Sequence, residues 1–322
     1  MERLENEFSW SRSRASIFRE CPRRYWFQYY GSWGGWEAAS PPRVRQAYVL
    51  KQLKSRWMWV GEVVHWAIER ILTSARIHQP MEEAKAVEWA LDRMRGDFRA
   101  SRDRKYRERP KKVVGLFEHE YEVPTTDDQW REAADHMRAC IGTFYRSPYH
   151  AFLPKLPRGH WLPIEELDHF FLDGVKVFVK PDAAFRSGAR TVEIVDWKTG
   201  RRDDEPDPIQ LACYSVYALE KKWAERAEDV TTTEYNLATG KAREAQVTEE
   251  RLVQVKADIR ASVAEMRQRL DDAGKNVARE EKFAVTTDAR ACRACGFRKI
   301  CPESPLKDPV LTAPGTAGEP GP

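Results

Sequence analysis

The chain has 322 residues, of which 42% are hydrophobic and 32% charged, and its formal net charge is +4. These values describe a soluble globular protein with a core of ordinary size, and no apolar run reaches the roughly 18 residues of a membrane span, which argues against a membrane role. The start MERLENEFSWSR has no apolar signal-like segment, so a cytoplasmic location is expected.

The N-terminal half is predicted to be mainly helical. Ser11 or Ser13 can cap a first short helix, and Pro22 suits the first turn of a second, before a loop from Trp33 to Pro42. Apolar residues then recur at intervals of three and four from about Arg56 to Ser74, the spacing of an amphipathic helix. Two more helices are predicted near 81–98 and 128–146.

The pattern changes after Pro163, where β-branched and aromatic residues alternate with turn formers. Strands are predicted, and interpreted as consecutive antiparallel strands, at 164–171, 175–180 and 191–197. A charged loop after Thr199-Gly200 leads to a helix near 208–224, a strand near 230–237 and a helix near 248–271. This order predicts an α/β core preceded by a helical insertion.

The motif Val-Asp196-Trp197-Lys198 ends one predicted strand, and Pro181-Asp182 belongs to the strand before. Alternate side chains of a strand share a face, so Asp196 and Lys198 project together while Trp197 points away. Two carboxylates that converge with an ammonium suit a divalent cation such as Mg²⁺ or Mn²⁺, which prefers oxygen ligands. The lysine can then orient the attacking water or neutralise charge on a phosphate. An isolated D-x-K motif is also compatible with an exposed, salt-linked strand.

Three further polar residues accompany this motif. His65 lies in Gly61-Glu-Val-Val-His65 on the amphipathic helix, and Gln210 and Tyr214 stand four residues apart, which places them on one helix face. Taken singly, they are equally compatible with packed or surface positions.

In this order, GxxxH, PD, DWK followed by Thr-Gly, and QxxxY resemble the RecB-like branch of the PD-(D/E)XK nucleases, including the nuclease domains of AddAB-type helicase-nucleases and the CRISPR spacer-acquisition exonucleases. The resemblance spans nearly the whole chain and implies a restriction-endonuclease-like central mixed sheet with flanking helices and a helical N-terminal insertion. Many relatives have Tyr in place of Trp197, and Gly-x-Ile-Asp where this chain has Val-Lys-Pro-Asp182.

The resemblance also implies the roles of the site residues. His65, Asp182, Asp196 and the main-chain carbonyl of Trp197 would bind the metal, and Lys198 would be the catalytic lysine. Gln210 and Tyr214 would contact DNA or support the site. Glu193 is out of phase with Asp196 along the strand and is left out of the catalytic set.

Four of the six cysteines form the pattern Cys21-Pro and Cys292-x2-Cys295-x5-Cys301-Pro. The spacing indicates a thiolate site for zinc or an iron-sulfur cluster rather than a disulfide framework. Members of the same nuclease branch hold a 4Fe-4S cluster with this pattern, so the resemblance favours the cluster over zinc. Cys140 and Cys213 fall in predicted helices and are expected to be packing residues.

Basic residues are concentrated at 11–24 and 99–112, and such clusters suit a nucleic-acid backbone. The second stretch is as compatible with a solvated helix face or loop. Arg23 and Arg24, next to Tyr25, Trp26 and Phe27, are predicted DNA contacts through charge and stacking.

One nuclease domain is predicted over 1–303. It comprises a helical part at 1–160, a catalytic core at 161–285 and a cysteine loop at 286–303, and a disordered tail is predicted at 304–322. We expect a metal-dependent DNA exonuclease that prefers single strands, since a cluster linking Cys21 to the C-terminal loop is expected to close a passage over the site. The alternatives are a non-hydrolytic DNA-end-binding protein and an iron-sulfur regulatory protein. The sequence has no nucleotide-binding P-loop, so any unwinding would come from a separate helicase, and a CRISPR adaptation protein is another possible partner.

Overall fold

The computed structural model describes residues 4–201 and 207–302. The predicted charged loop after Gly200 and the predicted disordered tail lie largely or wholly outside these ranges. The described helices are α1 (Arg12–Glu20), α2 (Pro22–Trp26), α3 (Pro42–Leu50), α4 (Arg56–Arg76), α5 (Glu83–Arg102), α6 (Phe117–Glu120), α7 (Asp127–Tyr145), α8 (Pro148–Phe152), α9 (Pro208–Glu220), α10 (Glu249–Arg267) and α11 (Ala289–Arg293). The described strands are β1 (Ser9–Trp10), β2 (Leu53–Lys54), β3 (Gly115–Leu116), β4 (Trp161–Ile164), β5 (Asp168–Leu172), β6 (Val175–Val179), β7 (Ala183–Arg186), β8 (Val192–Lys198), β9 (Val230–Asn236) and β10 (Lys241–Gln246).

The chain divides into two compact units. Among the described residues, the larger unit contains residues 4–15, 52–201 and 207–268, and the smaller unit contains residues 16–51 and 269–302.

The larger unit is built on a five-stranded mixed sheet with the order β10-β9-β8-β7-β4. Its strands pair antiparallel except for β8 and β9, which are parallel. The parallel pair requires a crossover connection, and α9 lies between the two strands in the chain. The expected α/β fold with a mixed central sheet and flanking helices is confirmed.

The predicted order of antiparallel strands is wrong in part. Strands β1, β6 and β5 form a separate three-stranded sheet, in which β6 pairs antiparallel with β5 and parallel with β1. Strand β6 is therefore not the neighbour of β8. The antiparallel neighbour of β8 is β7, a four-residue strand that begins directly after Asp182. Strand β7 is not predicted because Ala-Ala-Phe-Arg has little β-branched character, and β10 is not predicted because Lys-Ala-Arg-Glu-Ala-Gln is a polar, largely exposed edge strand.

The helical insertion packs around α4. The predicted apolar stripe of α4 is confirmed as buried, and Ser55 caps the helix by accepting a hydrogen bond from the backbone N–H of Met58. Helix α7 starts with a complete capping box formed by Thr126 and Gln129. The buried faces of α4, α5 and α7 form one core with strands β4, β7 and β8.

In the smaller unit, two segments far apart in sequence pack together. Pro22 begins α2, which continues into a π-helix over Phe27–Gly31. Of the two caps predicted for α1, Ser11 and Ser13, it is Ser11, a residue of the larger unit, that accepts from the backbone N–H of Arg14. The Trp26 indole donates to the carbonyl of Ala278, and the rings of Phe27 and Phe297 stack at 5.3 Å. Within the described residues, no helix has the length and apolar character needed to cross a bilayer.

Candidate active site

The ends of β7 and β8 bring two buried carboxylates together. The register pairs Ala183 with Val195, so Asp182, which directly precedes β7, and Asp196, which follows Val195 in β8, meet at the same end of the antiparallel pair. The backbone N–H of Trp197 donates to Oδ2 of Asp182 at 2.7 Å. Asp182 is 6% exposed and Asp196 is 3% exposed, so their charges are largely removed from water.

Lys198 lies beside Asp196, as the strand alternation predicts. Its Nζ is 2.5 Å from Oδ2 of Asp196. Burial lowers the pKa of Lys198, but the negative charge of Asp196 outweighs this effect, and the net shift is upward. The lysine is therefore held as an ammonium ion next to the carboxylate.

Helix α9 contributes Gln210 and Tyr214, and both contact Asp196. Oδ1 of Asp196 accepts from Nε2 of Gln210 at 2.9 Å and from the Tyr214 hydroxyl at 3.0 Å. The Lys198 ammonium donates to Oε1 of Gln210 at 3.2 Å. Of the two roles that the resemblance implied for Gln210 and Tyr214, these contacts fit support of the site, because they fix the orientation of the Asp196 carboxylate.

His65 of α4 reaches the same region. Its Nδ1 lies 3.3 Å from Oδ1 of Asp182 and 2.9 Å from Oε1 of Glu165. His65, Glu165 and Asp182 each offer one ligand atom, and these three atoms lie within 4.8 Å of one another, a grouping suited to a metal ion.

Sequence reasoning missed Glu165. It follows β4 in a left-handed conformation with φ of 54°, and its N–H contacts the carbonyls of Pro181 and Asp182 at 3.2 Å. Its second carboxylate oxygen accepts from Lys180. No spacing in the sequence marks this position, because a turn rather than a strand or helix period brings Glu165 to the site. A non-glycine residue held at positive φ is the signal that the structure provides.

The carboxylates and the histidine strongly shift one another's proton affinities. Burial lowers the pKa of His65, but Asp182 and Glu165 outweigh it and raise the pKa to about 10. Burial raises the pKa of Asp182, and although His65 opposes this effect, the charge of Asp196 adds to it. The three carboxylates of Glu165, Asp182 and Asp196, which have little contact with solvent, therefore favour a bound cation.

The Trp197 side chain points away from the site, as predicted. It is 1% exposed and packs edge-on against Phe144, Tyr149 and Tyr235. Glu193 also lies apart from the two aspartates, since its carboxylate accepts from the Tyr149 hydroxyl at 2.7 Å. Metal ligation by the Trp197 carbonyl stays a prediction.

The four cysteines of the sequence pattern line one cavity of the smaller unit. The Cys21 sulfur accepts from the backbone N–H of Arg24, and the Cys295 sulfur accepts from that of Phe297, both at 3.4 Å. Burial raises the pKa of Cys295 to about 11, and the nearby thiols of Cys21 and Cys301 add to the rise. Cys140 and Cys213 belong to the larger unit, where they are buried in α7 and α9 as expected for packing residues.

The structure places Arg23 in the interior. It is 3% exposed, its Nε donates to the carbonyl of Phe283 at 2.8 Å, and it forms an ion pair with Glu280. Tyr25 and Phe27 are each 1% exposed, so the expectation that they stack on bases is wrong: they form the core of the smaller unit. This burial also argues against phosphate contact by Arg23. Arg24 lies at the cysteine cavity and pairs with Glu20.

The sequence model of the PD-(D/E)XK nuclease superfamily matches residues 9–302. The chain belongs to the PD-(D/E)XK nuclease superfamily. Membership makes it a nuclease with DNA as its substrate class and a divalent metal as its cofactor.

No curated protein matches the chain. A solved structure titled "Crystal structure of SSO0001" is 17% identical to it, with 59% of this chain and 80% of that chain covered and a TM-score of 0.29.

The residues present fit the superfamily's metal. The ligand atoms of His65, Glu165 and Asp182 converge, and Asp196 adds a fourth side chain whose Oδ2 makes no hydrogen bond within the described residues beyond its ion pair with Lys198. Oxygen and imidazole ligands of this kind suit Mg²⁺ and Mn²⁺.

Proposed function

We propose that this chain is a Mg²⁺- or Mn²⁺-dependent DNA exonuclease of the RecB-like branch that prefers single-stranded DNA. The observation that carries the proposal is the convergence of Asp182, Asp196 and Lys198 at the ends of β7 and β8, with His65 beside them.

In this proposal His65, Asp182, Asp196 and the Trp197 carbonyl bind the metal, and Glu165 is added to this set. A bound divalent cation would polarise the scissile phosphate and lower the pKa of a water molecule. Lys198, held as an ammonium by Asp196, donates to the attacking water or to the phosphate oxygen on which charge develops. Gln210 and Tyr214 keep Asp196 in place during this step.

Hydrolysis requires that water replace the leaving oxygen at phosphorus, and the buried carboxylates define where this takes place. The low exposure of Asp182 and Asp196 strengthens their interactions with positive charge. Because these residues contact phosphate and water rather than base edges, cleavage should show little sequence preference and should weaken as salt rises.

The preference for ends and for single strands rests on the resemblance of the ordered motifs to RecB-like exonucleases. Linear and covalently closed circular single-stranded DNA should be compared at equal nucleotide concentration, in Mg²⁺ and again in Mn²⁺. We expect rapid degradation of the linear form and slow loss of the circle. Equal initial rates on both would contradict the end requirement and indicate an endonuclease.

We further propose that Cys21, Cys292, Cys295 and Cys301 hold a 4Fe-4S cluster, with zinc as the alternative. The shared cavity and the backbone N–H groups directed at two of the sulfurs support the proposal, since such hydrogen bonds stabilise thiolate ligands. The cluster would be structural, because it would join the N-terminal and C-terminal segments of the smaller unit. A separate helicase or a CRISPR adaptation protein is the partner that the resemblance suggests.

A further inference from the structure

An exposed tryptophan near the start of α4 makes cation-π contacts with two arginines. Trp57 is 41% exposed, and the guanidinium carbons of Arg56 and Arg201 each lie 4.9 Å from its ring centroid. The ring of His136 meets Trp57 edge-on at 5.7 Å. We call these four residues the Trp57 cluster. Cation-π contacts of this kind restrict flexible guanidinium groups to a defined place.

The Trp57 cluster lies next to the catalytic strand. Trp57, Gly61 and His65 are four residues apart on α4 and therefore share one face of the helix. A Cβ at Gly61 would be 3.1 Å from Oγ1 of Thr199, the residue that follows Lys198, so α4 passes closely over the end of β8. The His136 ring contacts the Thr199 carbonyl at 2.7 Å.

The distance from the Trp57 cluster to the metal ligands suits a single nucleic-acid strand. The eight residues from Trp57 to His65 span about 12 Å of helix. Successive phosphates of a stacked strand rise by about 3.4 Å, so a strand cleaved at Asp196 could reach the cluster within about four nucleotides.

The two arginines differ in how their charge is balanced. Arg201 forms an ion pair with Glu132 at 2.5 Å, with its Nε 3.4 Å from Nδ1 of His136. The Arg56 guanidinium lies on the indoles of Trp57 and Trp130, and it has no ion pair among the described residues. Glu132 lies within electrostatic range of Arg56 as well as of Arg201, but it makes its direct ion pair with Arg201, so the Arg56 guanidinium on its aromatic rings remains available to an anion.

We propose that the Trp57 cluster is a binding subsite for the sugar-phosphate backbone of the DNA strand being cleaved, with Arg56 and Arg201 contacting phosphate and Trp57 positioning them. This inference rests on the proposed function, because it takes DNA as the ligand. The subsite reads no base edges and adds affinity without sequence preference.

The test measures binding to a 5′-fluorescein-labelled oligo(dT) by anisotropy, with EDTA present so that no cleavage occurs, between about 50 and 200 mM salt. We expect Arg56→Gln to weaken binding roughly fivefold and to reduce the slope of log affinity against log salt by about 0.7, the value for one lost phosphate contact on a single strand. Trp57→Ala should reproduce this loss, and Trp57→Phe should retain most of the affinity.

Arg260→Gln is the matched control. Arg260 is 51% exposed and pairs with Asp173 at 2.6 Å, much as Arg201 is 52% exposed and pairs with Glu132. Arg201→Gln should lower the salt slope and Arg260→Gln should leave it unchanged, with circular dichroism confirming that each variant is folded. Unchanged slopes for Arg56→Gln and Arg201→Gln, or an equal loss for Arg260→Gln, would overturn the subsite. Failure of the unaltered chain to bind any DNA would overturn the proposed function as well, which separates the two results.

Discussion

The carboxylate site of the larger unit and the cysteine cavity of the smaller unit are stabilised in different ways. Asp196 is held by three side chains, Lys198, Gln210 and Tyr214, and Asp182 is held by the Trp197 N–H and by His65. The carboxylate site is therefore organised by the protein alone. In the cysteine cavity, burial favours the protonated thiol at Cys295, so a metal must displace the proton before that sulfur can serve as a ligand.

This difference means that the metal of the larger unit should be needed for chemistry, whereas the cofactor that we propose for the smaller unit should be needed for structure. Substitutions in the carboxylate site should remove activity and leave the fold intact. Substitutions in the cysteine cavity should affect the fold first.

The largest expected effect is on cleavage. Asp196→Asn and Lys198→Met should each lower the rate of DNA cleavage by about 10³-fold or more, because they remove a ligand charge and the ammonium that acts on water and phosphate. Thermal unfolding and DNA binding should change little. Assays of end-labelled DNA in Mg²⁺ and Mn²⁺ check the prediction, and undiminished cleavage by both variants would contradict the assignment.

A second effect should appear in the cofactor content of the smaller unit. Anaerobically purified protein should be brown and contain iron and sulfide, and Cys21→Ser should lose the cluster as readily as Cys295→Ser, since the site needs all four thiolates. Cys140→Ser is the control, because Cys140 is buried in α7 of the larger unit. Stoichiometric zinc without sulfide would refute the iron-sulfur cluster, and full iron retention in Cys21→Ser would refute Cys21 as a ligand.

A smaller effect should follow from the residue that the turn after β4 supplies. Glu165→Gln keeps the shape of the side chain but removes the charge next to His65, and Mn²⁺ affinity measured by calorimetry should fall by about ten- to a hundredfold. Glu166→Gln, at the exposed neighbouring position, should bind Mn²⁺ like the unaltered chain. Equal affinities for all three proteins would remove Glu165 from the metal site.

The sequence predicted those parts of the site that depend on a regular period. Strand alternation placed Asp196 with Lys198 and turned Trp197 away, and helical spacing placed Gln210 and Tyr214 on one face. Glu165 could not be predicted in this way, because its position depends on a left-handed turn and on contacts with residues 181 and 182.

The errors in the fold have a similar cause. The strand character of residues 164–180 predicts that the hairpin of β5 and β6 belongs to the main sheet, but strand character does not specify which strand is the neighbour. The expectation of DNA contact by Arg23 followed from basic and aromatic residues close together in sequence. The buried ion pair of Arg23 with Glu280 shows that such a cluster can equally form a core.

The most direct test of the account is the cleavage of end-labelled single-stranded DNA by the anaerobically purified chain after brief EDTA treatment, and again after addition of Mg²⁺ or Mn²⁺. We predict no cleavage in EDTA, full recovery on addition of either ion, and an unchanged circular dichroism spectrum throughout. Cleavage that persists in EDTA would contradict a metal-dependent nuclease site built from Asp182, Asp196 and Lys198. A failure of both Mg²⁺ and Mn²⁺ to restore cleavage would contradict it as well.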